Sequence, residues 1–92
     1  MRILIVEDEK QICDMVAKRL YDAGYEVDTC YDGEAAYECI LTENYDLIVL
    51  DLNLPGMDGM ELLKALRQEN EETKVLILSA RGQIADKVEG LD

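Results

Sequence analysis

Three unbroken apolar blocks constrain this chain more than any other feature. Ile3-Leu4-Ile5-Val6, Leu47-Ile48-Val49-Leu50 and Val75-Leu76-Ile77-Leu78 have no polar side and are bounded by charged or polar residues. Such blocks predict strands buried on both faces, whereas Glu26 to Cys30, alternating around Val27 and Thr29, predicts an edge strand. Helical spacing fills the gaps. Residues 9 to 23 place Ile12, Met15, Val16, Arg19, Leu20 and Ala23 at helical intervals, with Gly24 as the stop. Asp32-Gly33 opens a second helix in which Ala36, Cys39 and Ile40 share a face. A third helix runs to about Asn70, with Met60, Leu63 and Leu66 inward, Asp58 as its cap and Glu61 as the capping-box partner. Ile84, Val88 and Leu91, at i, i+4 and i+7, predict a last short helix.

The order βαβαβαβα predicts right-handed crossovers and a doubly wound parallel α/β sheet covered by helices on both faces. With 92 residues and no linker or repeat, the chain is expected to form one domain spanning 1–92. No apolar run exceeds four residues, so neither a transmembrane helix nor a signal-peptide core is expected, and a soluble cytoplasmic protein is.

Charge and composition narrow the chemistry. Twenty-one acidic residues against nine basic ones leave a net charge of −12, which argues against a nucleic-acid surface and suits a cation site or a basic partner. There is no histidine, which excludes His-containing zinc sites and Ser-His-Asp triads. Tyr is the sole aromatic, so base-stacking platforms are not expected. Three cysteines, Cys13, Cys30 and Cys39, lack C-x-x-C spacing and read as reduced thiols serving as small core residues.

In parallel sheets of this kind, ligands sit outside the carboxyl ends of the strands. The first strand ends in Glu7-Asp8-Glu9, the third in Asp51 and the fourth in Ser79-Ala80. The first and third strands, both fully apolar, are expected to be central neighbours, which brings Glu7, Asp8 and Asp51 to one pocket. Carboxylates that close are costly unless a cation neutralises them, and Mg²⁺ suits a site of a few carboxylates and retained waters. Asp8 has a plain alternative as N-cap of the first helix. Asp51, between Leu50 and Leu52, has no such structural use. Neither G-x-x-x-x-G-K-[ST] nor G-x-G-x-x-G occurs, and Glu7-Asp8-Glu9 would repel a phosphate bound without a metal.

Three stretches carry a family resemblance: Ile3 to Glu9, Val49-Leu50-Asp51-Leu52-Asn53-Leu54-Pro55-Gly56-Met57-Asp58-Gly59, and Leu78-Ser79-Ala80-Arg81. Together they resemble the receiver domain of two-component response regulators, over the whole chain. The stretch from Ser79-Ala80-Arg81-Gly82 to Gly90-Leu91-Asp92 resembles the branch with a winged-helix DNA-binding output domain. The resemblance implies a flavodoxin-like fold with strand order 2-1-3-4. It implies that Asp51 is the phospho-acceptor, taking a phosphoryl group from a phosphohistidine on a sensor histidine kinase. Asp8, Asp51 and the Asn53 carbonyl would hold Mg²⁺, with Glu7 acting through water, while the Ser79 hydroxyl and the Ala80 amide would contact the phosphoryl group.

Members of that family continue into a fifth strand, bearing a Lys followed by Pro, and a fifth helix. The chain is therefore expected to be a receiver domain truncated after its fourth helix. Loss of the lysine is expected to slow phosphoryl transfer by ~10²-fold or more. The fourth strand would then be an exposed apolar edge, through which, or by exchange of the last helix, the chain would self-associate. Two other functions compete. One is a self-associating scaffold fragment without phosphotransfer activity. The other is a metal-dependent phosphatase with an aspartyl nucleophile, which Asn53 disfavours because it cannot serve as general acid or base. No direct DNA binding and no turnover enzyme in the usual sense are expected.

Overall fold

The computed structural model describes residues 1–51, 58–69, 72–78 and 84–89. Strand β1 (Arg2–Val6) leads to helix α1 (Lys10–Asp22), β2 (Glu26–Cys30), α2 (Gly33–Thr42), β3 (Leu47–Asp51), α3 (Gly59–Glu69), β4 (Lys74–Leu78) and β5 (Ile84–Glu89). The sheet order is β2-β1-β3-β4-β5, with the first four strands parallel. The expected order 2-1-3-4 and the edge position of β2 are found.

Alternation along the central strands builds two cores from one sheet. Leu4, Val6, Ile48 and Leu50 point to the face covered by α2 and α3, where they meet Ala36, Ile40, Leu62, Leu63 and Leu66. Ile3, Ile5 and Val49 point the other way, to Cys13 of α1 and the flanking Val16, Ala17 and Leu20. Helix ends follow their local chemistry. The Asp32 side chain accepts from the Ala35 N–H at 2.8 Å and caps α2. After α1 the chain turns at Gly24, whose φ of +102° lies in the region that glycine adopts without penalty.

Two helix faces are turned from the expected ones. In α1 the inward set is Cys13, Val16, Ala17 and Leu20, and the expected Ile12 and Met15 are exposed. A small thiol at position 13 lets the helix lie close to β1, which rotates Ile12 outward. In α3, Leu62 joins Leu63 and Leu66 in the core, and the expected Met60 is exposed.

The larger correction concerns residues 84–89. The expected last helix is a strand, antiparallel to β4, with Val75 opposite Glu89, Leu76 opposite Val88 and Leu78 opposite Ile84. Leu91 lies outside the described residues. Open N–H and C=O groups along β4 need partners, and a hairpin return supplies them. A helix as short as the expected one gains too little to offset its nucleation cost. β4 is therefore not the exposed edge on which self-association was expected, and there is no last helix over these residues to exchange.

Candidate metal and phosphoryl site at the carboxyl ends of β1 and β3

In-register pairing fixes the site. β1 and β3 run parallel with Val6 opposite Leu50, so Glu7, just past β1, stands level with Asp51 at the end of β3. Asp8 follows on the same rim. One carboxylate oxygen from each of Glu7, Asp8 and Asp51 can be chosen so that all lie within 4.8 Å of one another. Glu7 and Asp51 are buried, and Asp8 is exposed. The three acids expected to converge do converge. Asn53, Ser79 and Ala80 lie outside the described residues.

The alternative role for Asp8 does not hold. Helix α1 starts at Lys10, its N-cap is Glu9, and no side chain caps it. The local turn is instead closed by Glu7, whose Oε2 accepts the Glu9 N–H at 3.0 Å. The Glu7 N–H itself donates to the Cys30 carbonyl at 3.1 Å, which ties the rim of β1 to the end of β2.

Like charge gathers at this rim. Burial pushes the Glu7 carboxyl up to about 7, and the neighbouring Asp8 and Asp51 carboxyls push the same way. The hydrogen bond from the Glu9 amide opposes them without prevailing. Three hard oxygen donors, two of them buried, fit a small divalent cation such as Mg²⁺ and would not suit a soft metal.

A second polar centre lies at the opposite end of the sheet, and nothing in the sequence pattern pointed to it. Arg2 bridges Asp28 at 3.0 Å and Glu43 and stacks over the Tyr45 ring, whose hydroxyl donates to Asp28 at 2.7 Å. Both acids of this network are paired with a basic or hydroxyl group. It joins β1, β2 and the α2–β3 connection, and it serves the fold.

Residues 3–92 match the response regulator receiver domain model. The chain belongs to the response regulator receiver family. Among curated relatives of this receiver domain, the transcriptional regulatory protein DltR of Streptococcus agalactiae is 47% identical over 92 residues, covering 100% of this chain and 41% of DltR. The receiver chain therefore spans about two fifths of the relatives it matches. Among solved structures, the response regulator TrrA of Thermotoga maritima in complex with Mg²⁺-BeF is similar at a TM-score of 0.79. It is 38% identical, over 86% of this chain and 69% of that one. The same regulator in complex with the histidine kinase ThkA gives a TM-score of 0.78 at 38% identity, over 86% of this chain and 68% of that one.

Proposed function

We propose that this receiver domain takes a phosphoryl group from a sensor histidine kinase onto Asp51, with Mg²⁺ held by Glu7, Asp8 and Asp51. The observation that carries the proposal is the convergence of these three carboxylates at the paired ends of β1 and β3. Asp51 Oδ attacks the phosphorus of the kinase's phosphohistidine. The P–N bond breaks, the imidazole nitrogen keeps the electron pair and takes up a proton, and an acyl phosphate forms on Asp51. Burial of Asp51 keeps water from competing at the acceptor, and the rigid end of β3 holds its carboxylate ready for attack. Bound Mg²⁺ would supply charge neutralisation of the transferred oxygens.

Asp8 and Asp51 are assigned as direct ligands, joined by the Asn53 carbonyl, with Glu7 acting through water. The Ser79 hydroxyl and the Ala80 amide are assigned as donors to the phosphoryl oxygens. The absence of histidine accords with a reaction whose histidine belongs to the partner. By likeness to DltR, a transcriptional regulatory protein, the phosphorylated module is proposed to control a transcriptional output. The winged-helix DNA-binding domain and the cytoplasmic location are expectations carried over from the sequence, and the net charge of −12 disfavours DNA binding by this part of the chain. Calorimetric titration with Mg²⁺ tests the cation site. Binding to the wild-type chain, weakened at least tenfold in Asp8→Ala, is expected. Equal affinity in the two chains, or no binding to the wild type at high millimolar Mg²⁺, would contradict it.

A further inference from the structure

Outside the acidic rim, two reactive groups meet at a distance the fold does not require. The Cys30 Sγ, at the end of β2, and the Cys39 Sγ, in α2, lie 3.4 Å apart as free thiols. Cys30 is buried and Cys39 is half-buried, so a small reagent would reach Cys39 first. The third thiol, Cys13, belongs to the core on the other face of the sheet. A disulfide needs its sulfurs at about 2.05 Å, a little over an ångström closer than they stand. The chain between the two cysteines is short, so closing the loop costs little entropy.

We propose that Cys30 and Cys39 form a reversible intramolecular disulfide by exchange with a low-molecular-mass disulfide of the glutathione class. Cys39, as thiolate, attacks one sulfur of the oxidised glutathione. The glutathione S–S bond breaks, one glutathione leaves as thiolate and takes a proton, and Cys39 carries a mixed disulfide. Cys30 then loses its proton to solvent and attacks the Cys39 Sγ. The Cys30–Cys39 bond forms and the second glutathione leaves. Two protein thiols are oxidised to one disulfide, and one glutathione disulfide is reduced to two thiols. Cys30 is buried where Cys39 is half-buried, which makes the second exchange the slow one.

The position gives the bond a consequence. Cys30 offers its carbonyl to the Glu7 N–H, and Asp32 caps α2 two residues further on. The crosslink therefore clamps α2 to the end of β2 one hydrogen bond away from the carboxylate cluster.

The test is equilibration of the whole chain in mixtures of reduced and oxidised glutathione, followed by acid quench, thiol blocking and mass spectrometry of intact chain and peptides. The expected product has lost two hydrogen atoms, links the Cys30 and Cys39 peptides, leaves Cys13 free and reverts with dithiothreitol. Cys30→Ser is expected to stop at the mixed disulfide on Cys39, and Cys13→Ser to behave as wild type. A wild-type chain that stays reduced in purely oxidised glutathione overturns the proposal. So does one that accumulates only the mixed disulfide, or that links Cys13 or a second chain.

Discussion

Glu7 shows what a single buried carboxylate does to this molecule. Its folded-state carboxyl is raised to about 7 against an ordinary value of 4.5, so the metal-free fold favours the protonated form below about pH 7. The stability this group contributes is present at pH below its unfolded value and is lost as pH rises from about 4.5 to about 7. Glu7→Gln keeps an oxygen for the Glu9 amide and removes the charge. Without Mg²⁺ at pH 8, this variant is expected to be more stable than wild type by on the order of 1–3 kcal/mol in urea unfolding. Saturating Mg²⁺ should narrow the gap, because only the wild type gains full cation stabilisation. A variant less stable than wild type in the absence of metal would contradict the account of a buried charge repelled by its neighbours.

Residue identity alone makes the acidic rim legible. Three acids that follow or end apolar blocks need only the inference that the first and third strands pair. Cys30 and Cys39 are not legible as a pair, since they stand nine positions apart and their meeting depends on how α2 docks on β2. Arg2, Asp28 and Tyr45 are hidden for the same reason, being joined by a network whose members come from separate parts of the chain.

At the scale of elements, the strands are plain because unbroken apolar blocks admit few other uses. Helix positions are plain and helix faces less so. Ile12 and Met15 fit helical spacing as well as Cys13 and Ala17 do, and the choice is decided by close packing of α1 on Ile3 and Ile5. Residues 84–89 mislead because a spacing of i, i+4 and i+7 over so short a stretch is weak, while the open side of β4 offers a full row of backbone partners. This pairing carries its own prediction. Ending the chain at residue 83 removes β5 and leaves β4 as an apolar edge. Sedimentation at high micromolar concentration is expected to show the shortened chain associating and the full chain doing so far less. Equal association of the two would show that β5 does not protect the edge.

Across the whole molecule, the fold places two polar centres of opposite character at opposite ends of one sheet. At the amino ends of the strands, Arg2 sits between Asp28 and Glu43. At the carboxyl ends, Glu7, Asp8 and Asp51 converge. A net charge of −12 makes the contrast sharper, since the same chain that arranges ion pairs at one end concentrates like charge at the other. Under the proposed function that contrast has a use, in which a cation and then a phosphoryl group would complete the rim.

The most direct measurement is to locate a phosphoryl group on the chain. Incubation with a small phosphoryl donor such as phosphoramidate, with and without Mg²⁺, is followed by borohydride reduction, which converts an aspartyl phosphate to homoserine, and by peptide sequencing. The account predicts homoserine at position 51, dependent on Mg²⁺ and absent from Asp51→Asn. Modification at another residue, or equal modification of Asp51 without a divalent cation, would contradict it.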